Sequence, residues 1–163
     1  VAGHAAGLVN ADFISMDLPY AAGSLCSTVG DLATWTRLLH SGKLVSTSSF
    51  AAMTTPAKLT SGRPMSYGFG LQIDTVGSNR RIHHGGGING FISSNAWVPG
   101  EEVSVTVLTN SGSGDADRLL SQVCPGAQRM LRQICWPITI PRMWEMGSDS
   151  SRCTVVIFAI AAT

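Results

Sequence analysis

His83-His84-Gly85-Gly86-Gly87-Ile88-Asn89-Gly90-Phe91 is the stretch from which the rest of the chain can be read. A pair of imidazoles and a triple glycine stand between two β-type regions. Upstream, Tyr67-Gly68-Phe69-Gly70-Leu71-Gln72-Ile73 alternates large apolar residues with small or polar ones. Downstream, residues 91–98 and 103–110 read as strands. Three consecutive glycines leave the backbone uncovered, so another group can approach it closely. Exposed N–H groups on such an edge can hold a developing oxyanion. The adjacent imidazole supplies a polar or cationic group near neutral pH. Taken alone, a glycine run between strands is most simply a turn or bulge, and a single histidine is more often structural than catalytic. The surrounding sequence has to decide.

Working outward, Ser27 is suited to cap a helix running to about His40. Leu32, Trp35, Leu38 and Leu39 recur at three- and four-residue intervals, which predicts one buried face. Asp31 in the first turn suits the helix dipole, as does His40 in the last. Ser41-Gly42 stops the helix. A second, short helix is expected over residues 47–53, ending before Pro56. Residues 1–24 are small, apolar and loop-like, and residues 58–66 read as a loop. Strands follow at about 67–74, 80–84, 90–98 and 103–109, with hairpin-type connections at Val76-Gly77-Ser78-Asn79 and Pro99-Gly100-Glu101-Glu102. In the last of them Val103, Val105 and Val107 point one way and Ser104, Thr106 and Leu108 the other. Short links imply an antiparallel meander. A helix beginning near Asp115 and including Leu119, Leu120 and Val123 completes an α+β body, an antiparallel sheet flanked by helices.

Composition sets the limits. The 163 residues are about one domain's length. Charged residues make up 13% against about 25% in an average chain. With a net charge of +1 and no run of Lys or Arg, nothing points to nucleic acid. No apolar stretch reaches the ~18 residues of a membrane span. Cys26, Cys124, Cys135 and Cys153 show neither a CxxC nor zinc-type spacing, and no disulfide framework is implied. No cofactor or metal is expected; adjacent strand histidines such as His83 and His84 do not converge easily on one ion. The opening, Val1-Ala2-Gly3-His4-Ala5-Ala6-Gly7, has neither a cap nor a turn of its own and reads as a fragment or a processed product. Residues 1–123 are expected to form the folded domain. Residues 124–163 are an atypical tail, read either as a family-specific extension or as the product of a frame change. Its end, Thr154-Val155-Val156-Ile157-Phe158-Ala159-Ile160, is an uncharged β-prone run and an aggregation hazard if exposed.

Several pieces, in order, resemble the C-terminal part of the serine β-lactamase and penicillin-binding-protein-like hydrolases. The branch is that of class C β-lactamases, D-alanyl-D-alanine carboxypeptidases and related esterases. The pieces are Ala21-Ala22-Gly23-Ser24-Leu25 with Ser27-Thr28 and Asp31-Leu32-Ala33, then Met53-Thr54-Thr55-Pro56, then Tyr67-Gly68-Phe69-Gly70-Leu71. His84-Gly85-Gly86 follows where that family has its His-x-Gly or Lys-Thr-Gly triad, with Gly90-Phe91 and Val107-Leu108-Thr109-Asn110 beyond it. The resemblance implies acyl transfer on a β-lactam, a D-amino acid peptide or a small ester. It places His84 near the substrate's carboxylate or the proton-handling tyrosine. It gives Gly87 a backbone N–H in the oxyanion hole, and makes Gly85 and Gly86 the open strand beside the substrate. A periplasmic or extracellular location is implied in the same way.

The chain departs from that pattern in one respect. Neither Lys43 nor Lys58 has a serine three residues earlier, and neither Tyr20 nor Tyr67 has an Asn two residues later. The Ser-x-x-Lys nucleophile motif and the Tyr-x-Asn motif are therefore not among these residues. Two expectations remain open. One is a serine hydrolase in which this chain supplies the His-x-Gly strand, with the N-terminal half of the same domain as its partner. The other is a catalytically inactive fragment or binding module of the same fold. Ser93-Ser94-Asn95 matches a Ser-x-Asn pattern but reads as ordinary strand. Trp35 and Trp97 are expected in the core or the cleft wall, and His83 as the outward or core neighbour of His84.

Overall fold

The computed structural model describes residues 2–4, 7–112, 116–123 and 157–162. Its centre is an antiparallel sheet in the order β3 (Gln72–Val76), β4 (Asn79–Ile88), β5 (Phe91–Val98), β6 (Val103–Thr109) and β7 (Ile157–Ala162). Strand order follows chain order, and from β3 to β6 the short links required it. Gly77 has a φ of +59° and starts a two-residue hairpin, where a left-handed first position is needed. Glu102 takes a φ of +52° as the chain leaves a 3₁₀ turn at Pro99–Glu101.

β6 is buried along almost its whole length because helices cover both faces. On one face Val103, Val105 and Val107 join Ala96, Val98, Ala116 and Leu120 in the main core, beneath α4 (Ala116–Val123). On the other, Leu71, Ile82 and Trp97 form a second cluster with Phe50 and Met53 of α3 (Thr47–Met53). α2 (Val29–His40) lies on this second face as well. The observed α+β layering is the expected one.

Four expectations need correction. The cap of α2 is Thr28, not Ser27: its hydroxyl oxygen accepts from the Asp31 N–H at 3.1 Å and its O–H donates to the Asp31 carboxylate at 2.9 Å. Trp35, on the helix face expected to be buried, is 43% exposed and takes its other expected place in the wall of a cleft, while Thr36 is 1% exposed. Both positions share a helix face with Leu32 and Leu39. Asn95 decides between them, because its amide donates to the Thr36 hydroxyl at 2.9 Å and lets the smaller residue pack against the sheet. Residues 67–70 are not strand. They turn over the end of α3, and regular pairing begins only at Gln72. Residues 1–24 are not uniformly loop: β1 (Ala2–His4) pairs with β2 (Gly7–Val9), and α1 (Tyr20–Gly23) is a single helical turn.

Of the tail, Ile157–Ala162 pairs antiparallel with β6, in the register Val103↔Ala162 to Leu108↔Ile157. The described part of the β-prone run, from Ile157, thus enters the sheet at its edge. The expectations for residues 124–156, Cys124, Cys135 and Cys153 included, lie outside the described residues. Among the described residues no helix is long and apolar enough to cross a membrane.

Candidate functional site

The glycine run is part of β4, not a break between strands. β4 continues through Ile88, and the turn falls at Asn89-Gly90, where Gly90 adopts a φ of +78°. β3 pairs with β4 only from Val76↔Asn79 to Gln72↔His83. β5 pairs with its second part, from Ile82↔Trp97 to Ile88↔Phe91. Residues 84–88 are therefore held by a strand on one side only, among the described residues. His84, Gly86 and Gly87 are exposed there, and a Cβ added to Gly87 would meet nothing within 4 Å. The neighbouring glycines are more confined. A Cβ on Gly86 would lie 2.8 Å from the Ser93 hydroxyl, and one on Gly85 would lie 3.2 Å from the Asp117 carboxylate.

The two histidines separate by strand alternation. His84 is exposed and reaches Tyr67: its Nε2 lies 2.8 Å from the phenol oxygen, with the rings near edge-on at 76°. Its Nδ1 lies 2.5 Å from the carbonyl oxygen of Gly85. His83 is buried at 7% exposure, and its Nε2 faces the Asp74 carboxylate at 3.2 Å. Arg81 grips the same carboxylate in bidentate fashion, with Nε to Oδ1 at 2.8 Å and Nη2 to Oδ2 at 2.6 Å. The Arg81 guanidinium holds the Asp74 carboxyl below the usual carboxylate range, with His83 adding to the effect. Burial, then the Arg81 charge, lowers the His83 pKa against the opposing pull of Asp74 and Asp117.

This group also ties α4 to the sheet. Arg81 donates to the Ser121 hydroxyl at 2.9 Å, and Ser94 donates to the Asp117 carboxylate. Ser94 and Asn95 thus serve packing, as ordinary strand residues do: Asn95 accepts from Thr106 at 2.8 Å on the opposite face. His83 and His84 face different sides of the strand. No group of three or more His, Cys, Asp or Glu side chains among the described residues is placed to hold a metal.

Beside His84, a cavity of about 80 Å³ opens between α2 and the sheet, lined in part by Trp35, His40, Gly70, Leu71 and Trp97. His40, at the last turn of α2, is half-buried. Its ring stacks on Trp97 with centroids 4.7 Å apart and meets Phe50 edge-on at 5.0 Å, and burial lowers its pKa to about 4. The position in the last helical turn suggested a charged ring; desolvation overrides the dipole.

The contact that sequence reading missed is Tyr67 with His84. Tyr67 had been placed in a strand, but the close packing of the turn at residues 67–70 carries its hydroxyl to β4. The available signal was Gly68. A Cβ there would lie 2.0 Å from the Met53 carbonyl oxygen, so only glycine lets the turn approach α3 this closely.

A layered α+β chain with a His-x-Gly strand at a half-open edge has the form of a β-lactamase-like or penicillin-binding-protein-like serine hydrolase. The chain belongs to the beta-lactamase family, whose profile matches residues 2–122. Over 86 residues it is 30% identical to the D-aminopeptidase of Gluconobacter oxydans, a match covering 53% of this chain and 16% of that protein. Over 99 residues it is 23% identical to the D-aminopeptidases of Brucella ovis and Brucella melitensis, covering 61% of this chain and 19% of each relative. The chain thus matches about a fifth of the length of these curated relatives.

Proposed function

We propose that this chain supplies the third-motif strand of a serine hydrolase that transfers acyl groups from small amides or esters. Substrates carrying a D-amino acid are the first class to test, because the relatives are named D-aminopeptidases; β-lactams and simple esters are the others. His84 is the polar side chain beside the substrate or the proton-handling group. Gly87 contributes a backbone N–H to the oxyanion hole, and Gly85 and Gly86 form the backbone wall along which substrate lies. The observation that carries this reading is the half-paired strand: residues 84–88 present an exposed histidine and bare glycine backbone on an edge no described strand covers.

The nucleophile and its base are absent from these 163 residues, and we assign them to a partner segment upstream in the same domain. The chain alone then forms no acyl adduct with a β-lactam or an activated ester, as read by intact-protein mass spectrometry. An adduct on any residue here would overturn the assignment. In a gene product that also carries Ser-x-x-Lys and Tyr-x-Asn, Gly87→Pro removes one N–H and slows acylation by about 10²–10³-fold. A rate unchanged by that substitution would remove Gly87 from the oxyanion hole. If the upstream gene encodes no such motifs, the chain is a module of the same fold without catalysis of its own.

A further inference from the structure

We infer that Tyr67 is a positioning residue for His84, fixing the imidazole by its hydroxyl in the tautomer with the proton on Nδ1. The inference follows from which atoms can donate. The Gly85 carbonyl oxygen only accepts, so Nδ1, 2.5 Å away, must carry a proton. In the neutral ring Nε2 is then bare and can only accept. The group 2.8 Å from it is the Tyr67 hydroxyl, which donates. Each nitrogen is thus tied to a different piece of backbone: Nδ1 to β4 itself, Nε2 to the turn over α3.

The turn holds Tyr67 firmly. The Tyr67 carbonyl accepts from the Ala57 N–H at 2.8 Å, the Gly68 N–H donates to the Leu71 carbonyl at 2.8 Å, and the Phe69 N–H donates to the Met53 carbonyl at 3.1 Å. The phenol oxygen therefore sits at a fixed place beside the open edge of β4. A phenylalanine would keep the ring packing of Tyr67 on His84 and lose the hydroxyl's bond to Nε2.

The inference rests on the proposed role of His84 for its meaning in catalysis. Its test needs no turnover, so it can fail without the hydrolase reading failing, and the reverse. Long-range ¹H–¹⁵N correlation on the 163-residue chain distinguishes a protonated from a bare ring nitrogen. The expected spectrum of His84 shows Nδ1–H with an unprotonated, hydrogen-bonded Nε2. In Tyr67→Phe the Nε2 resonance loses its hydrogen-bond shift, while the His40 and His83 resonances stay where they are. Packing alone would leave Nε2 unmoved in that variant, which would overturn the assignment. A parent chain with the His84 proton on Nε2 would overturn it before any variant is made.

Discussion

Replacing Gly68 by Ala tests the geometry that brings the site together. The new Cβ would lie 2.0 Å from the Met53 carbonyl oxygen and 3.2 Å from that of Thr55. These are backbone atoms at the end of α3 and cannot rotate aside. Restoring ordinary contact requires the turn to retreat by about 1.4 Å. That movement breaks the Phe69 N–H bond to Met53 O, now 3.1 Å. Strain of this kind costs about 1–3 kcal/mol, and the lost hydrogen bond adds about 1 kcal/mol, so Gly68→Ala should destabilise by about 3 kcal/mol. With a urea m-value of about 1.5–2 kcal/mol/M, the unfolding midpoint followed by circular dichroism falls by about 1.5–2 M. Gly87→Ala is the matched control: its Cβ meets nothing within 4 Å, and its midpoint should stay within the ~0.5 kcal/mol typical of neutral surface changes. Equal midpoints for the two variants would refute the claim that the turn is pinned to α3 through residue 68.

Three further outcomes follow from the packing. His40 is neutral in the folded chain, with a pKa lowered to about 4 by burial, whereas the unfolded chain takes up a proton near 6.5. The unfolded state thus binds more protons between those values, and stability falls as pH drops from about 6.5 to 4. Solvent still reaches this half-buried ring, so the loss is about 1–2 kcal/mol; denaturant titrations across that range should show it, and His40→Phe should flatten the slope. Leu120 is fully buried in the cluster with Val105 and Val107, so Leu120→Ala should cost about 2–5 kcal/mol by the same titration; a loss under 0.5 kcal/mol would mean that α4 does not cover this face. Phe13 and Leu25 are 93% and 92% exposed, and Phe69 and Phe91 are also open. The chain by itself should self-associate in sedimentation velocity; a clean monomer that unfolds cooperatively would count against a missing partner segment.

Local chemistry made parts of this fold readable. Residues 47–53 end where Pro56 forbids continuation, and β6 alternates Val with polar residues from Val103 to Val107, so both elements fall where the sequence placed them. The hairpin at Gly77 was marked by its turn residues. What local pattern does not carry is the choice between equivalent faces. Leu32 and Leu39 are compatible with either Trp35 or Thr36 facing inward, and the choice rests with Asn95, 59 residues from Thr36. The same holds at the candidate site. The glycine run could be seen, and its resemblance to a His-x-Gly strand could be seen. That the strand runs on through Ile88 depends on pairing with β5, and that Tyr67 meets His84 depends on a clearance at Gly68, 15 positions from Met53. His40 was misread for a related reason: sequence shows its place on the helix but not the Trp97 ring against it.

β4 joins two kinds of backbone in one strand. Up to His83 its outer edge is paired with β3, and Ile82 and His83 have a strand on each side; beyond that, its outer amides face no described strand. Glycine adds to the contrast, since each one gives up more chain entropy on ordering than alanine, by roughly 0.5–1 kcal/mol. The sheet should therefore not open as a unit. Amide protons of β5 and β6, enclosed between helices, should exchange with solvent only on the rare global openings. The outward amides of residues 84–88 should exchange through small local excursions many times more often. The slowest and the fastest clocks of the sheet would then lie on neighbouring strands, the fast one beginning on β4 just past His83.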